Sequence, residues 1–132
     1  MPLLTINSTR AVDTQRKETF FEEVATLYAE MMDSSTEFLS VKLHRLSRED
    51  VWLGRADPDA DIVILEADIR GGRPHDQRRA FALAFMEKLH DEWEIPHDNM
   101  KVVFTEHEGP HLMGYNRVGS QWSQSGGQDE NR

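Results

Sequence analysis

Apolar residues follow two different periods along this chain, and the switches between them mark its elements. Leu3 to Asn7 reads as a short strand, after which Asp13-Thr14-Gln15 opens a helix. Phe20, Phe21, Val24, Leu27, Tyr28, Met31 and Met32 then recur at helical spacing, with Glu22, Glu23 and Glu30 opposite, until Asp33-Ser34-Ser35 ends the run. Phe38, Leu39, Val41, Leu43 and Leu46 suit a strand, and Val51-Trp52-Leu53 suits a short strand or hairpin arm. Ala56 to Asp59 is a turn. A β-branched strand begins at Ile62 and runs to Ile69, where Gly71-Gly72 breaks it. Pro74 takes a first-turn position, and Ala80, Phe81, Ala84, Phe85, Leu89 and Trp93 form the apolar face of a second helix. Met100 to Thr105 is the last well-marked strand.

The order strand, helix, strand thus occurs twice, in halves of about 2–58 and 61–118. An offset of 62 lays Gln15-Arg16 over Gln77-Arg78, Val41 over Val103 and Pro2 over Ile64. Two joined β-α-β units predict an α/β (α+β) domain over 2–118, a four-stranded sheet with two helices on one face. The other face is left bare, so the chain is expected to associate. From Ser120 onward Gln, Ser, Gly and Asp dominate, and 119–132 reads as a frayed tail or an arm ordered by a partner.

Composition narrows the chemistry. The 132 residues are 38% hydrophobic and 30% charged, with a net charge of −9 and a pI near 5.0. That balance argues against a nucleic-acid partner, and an anionic ligand has to be held by a few local arginines. There is no cysteine, so thiolate chemistry and disulfides are excluded. With no membrane-length apolar run and no signal-peptide pattern at the start, the chain reads as cytoplasmic. No phosphate-cradling glycine loop and no nucleophilic serine motif occurs. His107 and His111 stand four apart, but Gly109 and Pro110 break any helix between them, so neither metal nor cofactor is expected.

Pro2 directly follows Met1. Methionine is normally trimmed before so small a residue, which leaves a free prolyl amine. That secondary amine can serve as base, acid or nucleophile, and neighbouring cations favour its neutral form.

The second half reads Glu66-Ala67-Asp68-Ile69-Arg70-Gly71-Gly72-Arg73-Pro74-His75-Asp76-Gln77-Arg78, then a helix, Glu94-Ile95-Pro96, Lys101 to Glu106 and Met113-Gly114-Tyr115. Over roughly 2–118 it resembles the tautomerase superfamily, whose members use an amino-terminal proline. The double-length chain, the Arg70/Arg73 spacing and the segments Asp50 to Gly54 and Tyr115-Asn116-Arg117 resemble its cis-3-chloroacrylic acid dehalogenase group. The resemblance implies a homotrimer, with Pro2 catalytic and Arg70 and Arg73 gripping a substrate carboxylate through paired hydrogen bonds. Tyr28, Tyr115 and Arg117 join the expected substrate-binding set, and Glu106-His107-Glu108 reads either as a solvated loop or as a pocket rim. A surface reading of Arg70 and Arg73 pairs them instead with Asp68 or Asp76.

Three positions depart from the dehalogenase pattern. Gly114 stands where the group has a water-activating glutamate, Val103 where it has a tyrosine, and Tyr28 where it has a histidine. Hydrolytic dehalogenation therefore lacks its base, whereas ketonisation of an enol asks only for Pro2 and a polarising arginine. The expected activity is a cofactor-independent tautomerase acting on a small 2-oxo or enol carboxylate. Decarboxylation, hydration or dehalogenation of a small acid on the same scaffold is the enzymatic alternative. A non-catalytic ferredoxin-like binding or assembly module is the other.

Overall fold

The computed structural model describes residues 1–115 and the backbone of 117 and 118; the tail expected over 119–132 lies outside the described residues. Four strands form the main sheet: β1 (Leu3–Ser8), β2 (Ser40–Arg45), β3 (Val63–Arg70) and β4 (Met100–His107). Their order is β2-β1-β3-β4, with β1 parallel to β2, β3 parallel to β4, and the two central strands antiparallel. Helices α1 (Thr14–Met31) and α2 (His75–Trp93) make the two crossovers. A short pair, β5 (Met113–Gly114) and β6 (Arg117–Val118), follows.

Alternation along the central strands sorts the side chains. Leu4 and Ile6 of β1 and Val63, Leu65, Ala67 and Ile69 of β3 are buried under the helices. Phe20, Val24 and Tyr28 of α1 meet them at four-residue spacing, as do Phe81, Phe85 and Leu89 of α2. The helices cross head to tail, so Tyr28 stands edge-on to Phe81, ring centroids 5.2 Å apart, and Phe20 lies 4.6 Å from Trp93. Leu3, Thr5, Asn7, Glu66 and Asp68 point to the other face, which carries no helix.

The duplication is real, but its offset is 61 rather than 62. Thr14 and His75 open the two helices, and Asp33 and Glu94 end them in the left-handed region at φ 52° and 58°. Phe20 matches Phe81, Val24 matches Phe85, Leu4 matches Leu65, and Val41 matches Val102. An even offset puts core residues over residues of the bare face, because side chains alternate along a strand. Pro2 therefore corresponds to Val63, not Ile64.

Other local expectations shift for physical reasons. Val51-Trp52-Leu53 is neither strand nor hairpin arm. This connection is pinned by side chains: Arg48 donates to the carbonyls of Ala60 (3.1 Å) and Val51 (3.2 Å), and the buried Asn99 donates to those of Asp57 and Asp61. Trp52 consequently stands 84% exposed. Ala82 rather than Ala80 is buried on α2, and Pro74 precedes the helix as its cap instead of occupying its first turn. Glu106 and His107 extend β4 rather than forming a loop.

Candidate active site

Pro2 is buried at the head of β1, where its carbonyl accepts from Ser40 N–H at 3.0 Å. Leu3 pairs with Asp68, so continuing the antiparallel register sets Pro2 opposite Ile69 and Met1 opposite Arg70. The start of the chain and the end of β3 thus share one edge of the sheet. The side-chain alternation turns Pro2 toward the helices, alongside Leu4.

At the end of β3 the chain turns through Gly71-Gly72. Gly71 N–H donates to His107 O at 3.0 Å, which carries the ladder one step past the strand. Gly72 sits at φ 116°, a conformation that any Cβ would oppose, so glycine is required there. Arg73 follows and its Nε donates to Met32 O at 2.8 Å, where the carbonyls of α1 end. A cation at that negative helix end is favourable. Gln77 Nε2 takes the neighbouring Met31 carbonyl at 3.0 Å. From α2, Arg78 donates to Arg73 O at 3.1 Å and pairs with Glu106. The arginine loop is therefore tied to β4, α1 and α2 at once.

These residues line a cleft of about 200 Å³ formed by Met32, Asp33, Arg70, Gly71, Gly72, Arg73 and Gln77. Arg70 and Arg73 come together as the spacing implied, and Asp68, one of the acids offered to them, is engaged by His107 Nε2 at 2.9 Å. Gln77 and Asp33 were not singled out for this site. Their part depends on the end of α1 meeting the start of α2, which no local pattern carries.

Tyr28 lies beneath, fully buried, and its hydroxyl has no hydrogen-bond partner among the described residues. Burial pushes its phenol up to about 12, while the Arg73 guanidinium pulls the other way. The core reading of Tyr28 describes its ring, which packs against Phe81.

The remaining expected residues are more scattered. Tyr115 is 98% exposed. Arg117 is placed by its backbone alone, paired with Gly114, and its side chain lies outside the described residues. Val103 stands on the bare sheet face opposite Glu66, 43% exposed. Gly114 comes back to the start of the chain, where it meets the Met1 side chain.

A mixed four-stranded sheet carrying two crossover helices on one face is an architecture this chain shares with solved structures. No family model matches the sequence, and no curated protein does. Solved structures do match. One is N1, a member of the cis-3-chloroacrylic acid dehalogenase family, at TM-score 0.73 and 19% identity, covering 88% of this chain and 82% of N1. The W0 fused 4-OT symmetric trimer matches at TM-score 0.76 and 13% identity over 90% of this chain and 98% of its own. Pt0534, inactivated by 2-oxo-3-pentynoate, matches at 0.75 and 17% over 90% and 96%. At these identities the likeness fixes the fold. No helix among the described residues is long and apolar enough to cross a membrane.

Proposed function

We propose that the chain, once Met1 is removed, is a cofactor-independent tautomerase whose prolyl amine moves a proton on a small 2-oxo or enol carboxylate. The observation that supports this reading is that the head of β1, which carries the buried Pro2, and the end of β3, which leads into the arginine-lined cleft, lie at the same edge of the sheet. Arg70 and Arg73 hold the carboxylate, and their positive field favours the neutral amine that a base must be. Pro2 lifts the enol proton and returns it to carbon. Tyr115 and Arg117 remain the further substrate-binding candidates of this reading. The inactivation of Pt0534 by a 2-oxo acid supports the choice of ligand class.

Neither Gly114 nor Val103 offers a carboxylate or phenol to activate water, which favours ketonisation over hydration or dehalogenation. The uncovered sheet face and the trimeric 4-OT structure support a homotrimer that buries that face.

The test begins with the intact mass, which establishes that Met1 is gone. Turnover of phenylenolpyruvate and 2-hydroxymuconate is then followed by ultraviolet absorbance. Pro2→Ala is expected to lower kcat about 10²–10⁴-fold, the usual contribution of a positioned acid–base group. Unchanged kinetics in Pro2→Ala would refute the reading. Arg70→Ala is the cleaner arginine test, because Arg73 also caps α1.

A further inference from the structure

Asp33 is the one carboxylate among the residues that line the arginine cleft. It follows Met32, the C-cap of α1, and holds φ at 52°. Glycine and asparagine are the usual residues at such a helix end, and a negative charge there opposes the helix dipole. The helix end alone gives no reason for a carboxylate at this place. Its surroundings are fixed from both sides. Arg73 Nε holds Met32 O, the carbonyl of the peptide that leads into Asp33, at 2.8 Å. Gln77 Nε2 donates to Met31 O at 3.0 Å and reaches Asp33 Oδ2 at 3.4 Å, so the side chain is held from α2. A ligand gripped by Arg73 therefore has this charge beside it.

We infer that Asp33 selects ligands by charge: the cleft takes acids with one carboxylate and turns away dicarboxylates. The inference rests on the reading of Arg70 and Arg73 as carboxylate-holding residues, and adds which acids they accept. The first carboxylate is drawn to the guanidiniums. A second, carried by the same small molecule into a cleft of about 200 Å³, is repelled by Asp33. Repulsion between two such charges at a partly exposed place weakens binding about tenfold, and salt screens it.

The experiment compares two 2-oxo acids of similar size, 2-oxohexanoate and 2-oxopentanedioate, by calorimetry on the full, processed chain. Wild type should bind the monocarboxylate more tightly. Asp33→Asn keeps the side-chain shape and suits the left-handed backbone, so it removes the charge without disturbing the turn. It should raise affinity for the dicarboxylate about tenfold and for the monocarboxylate about threefold at most, a difference that shrinks in concentrated salt. Glu94→Gln removes the charge that ends α2 in the same conformation, outside this cleft, and should leave the ratio of the two affinities unchanged. A wild type that prefers the dicarboxylate, an unchanged ratio in Asp33→Asn, or an equal shift in Glu94→Gln overturns the inference. Failure of the underlying reading looks different. Binding of neither acid, or binding of both undiminished in Arg70→Ala, overturns the arginine reading and this inference with it. Turnover indifferent to Pro2→Ala overturns the catalytic reading alone, since these affinities do not depend on it.

Discussion

Replacing Tyr28 by phenylalanine should make the protein more stable. The hydroxyl is fully buried and has no partner among the described residues, so it has lost its hydration without recovering a hydrogen bond. Such a group costs about 1–3 kcal/mol, and its removal leaves only a small gap beside Phe81, so a net gain of about 1 kcal/mol is expected. For a domain of this size that corresponds to a rise in Tm of roughly 3–5 °C.

Alkaline pH separates this account from a generic packing effect. The phenol is raised from 10.0 to about 12 in the folded chain by burial, so the folded state holds its proton after the unfolded state has released it. Its titration leaves stability unchanged below pH 10 and lowers it as pH climbs to about 12, because only the unfolded phenol can ionise there, a decline of ~2–3 kcal/mol at about 1.4 kcal/mol per unit. Urea unfolding of both proteins from pH 8 to 11.5 isolates this contribution, since the lysines titrate alike in each. The advantage of Tyr28→Phe should widen steadily above pH 10. A variant less stable than wild type at pH 8, or a difference that stays flat through the alkaline range, refutes the argument.

Two further substitutions test the frame around the site. Asn99 is fully buried, accepts from Asp57 N–H at 2.9 Å and donates to the carbonyls of Asp57 and Asp61, so Asn99→Ala should cost about 2–4 kcal/mol in urea unfolding, through polar groups left unpaired. A loss under about 1 kcal/mol would show that water replaces it without penalty. Gly72→Ala meets no neighbour within 4 Å but must hold φ 116°, so it should cost about 1–2 kcal/mol by strain alone. It should raise KM for the carboxylate substrate by displacing Arg73; an unchanged KM would separate the loop from ligand binding.

The elements were legible in the sequence because their periods are strong; what local patterns missed was decided at a distance. Matching letters gave an offset of 62 through Gln15-Arg16 and Gln77-Arg78, polar residues at the helix starts that lie outside the apolar core. Burial enforces 61, through Phe20 and Phe81 or Leu4 and Leu65. Val51 to Leu53 has strand composition, but Arg48 and Asn99 reach across and hold the surrounding backbone carbonyls in another arrangement. The arginine pair was singled out by the family resemblance, with the Gly-Gly turn between its members, and the fold sets Arg70 and Arg73 on one cleft. Helical spacing placed Tyr28 on the core face, yet said nothing of whether its hydroxyl would find a partner there.

The corrected duplication also shows how the two ends of the sheet differ. With an offset of 61, Met32 corresponds to Trp93, and each terminal carbonyl is held by an arginine: Arg73 Nε on Met32 O at 2.8 Å, Arg10 Nη1 on Trp93 O at 3.2 Å. Binding a helix end is therefore a task of the scaffold in both halves, and it cannot by itself single out a ligand site. The two ends differ in what surrounds that arginine. Around Arg10 the cleft is lined by Asp59, Asp61 and Glu94, and Thr9 Oγ1 donates to Asp61 at 2.8 Å, so an anion meets carboxylates there. Around Arg73 stand Arg70, Gln77 and two glycines, with Asp33 the one acid in the lining. The positions that begin the equivalent strands differ as well. Val63 is preceded by Ile62 in a continuous chain, whereas Pro2 can become an amine when Met1 is removed. Under the proposed reading a basic nitrogen and a cationic cleft belong to one end of the duplicated fold, whereas carboxylates line the cleft at its twin.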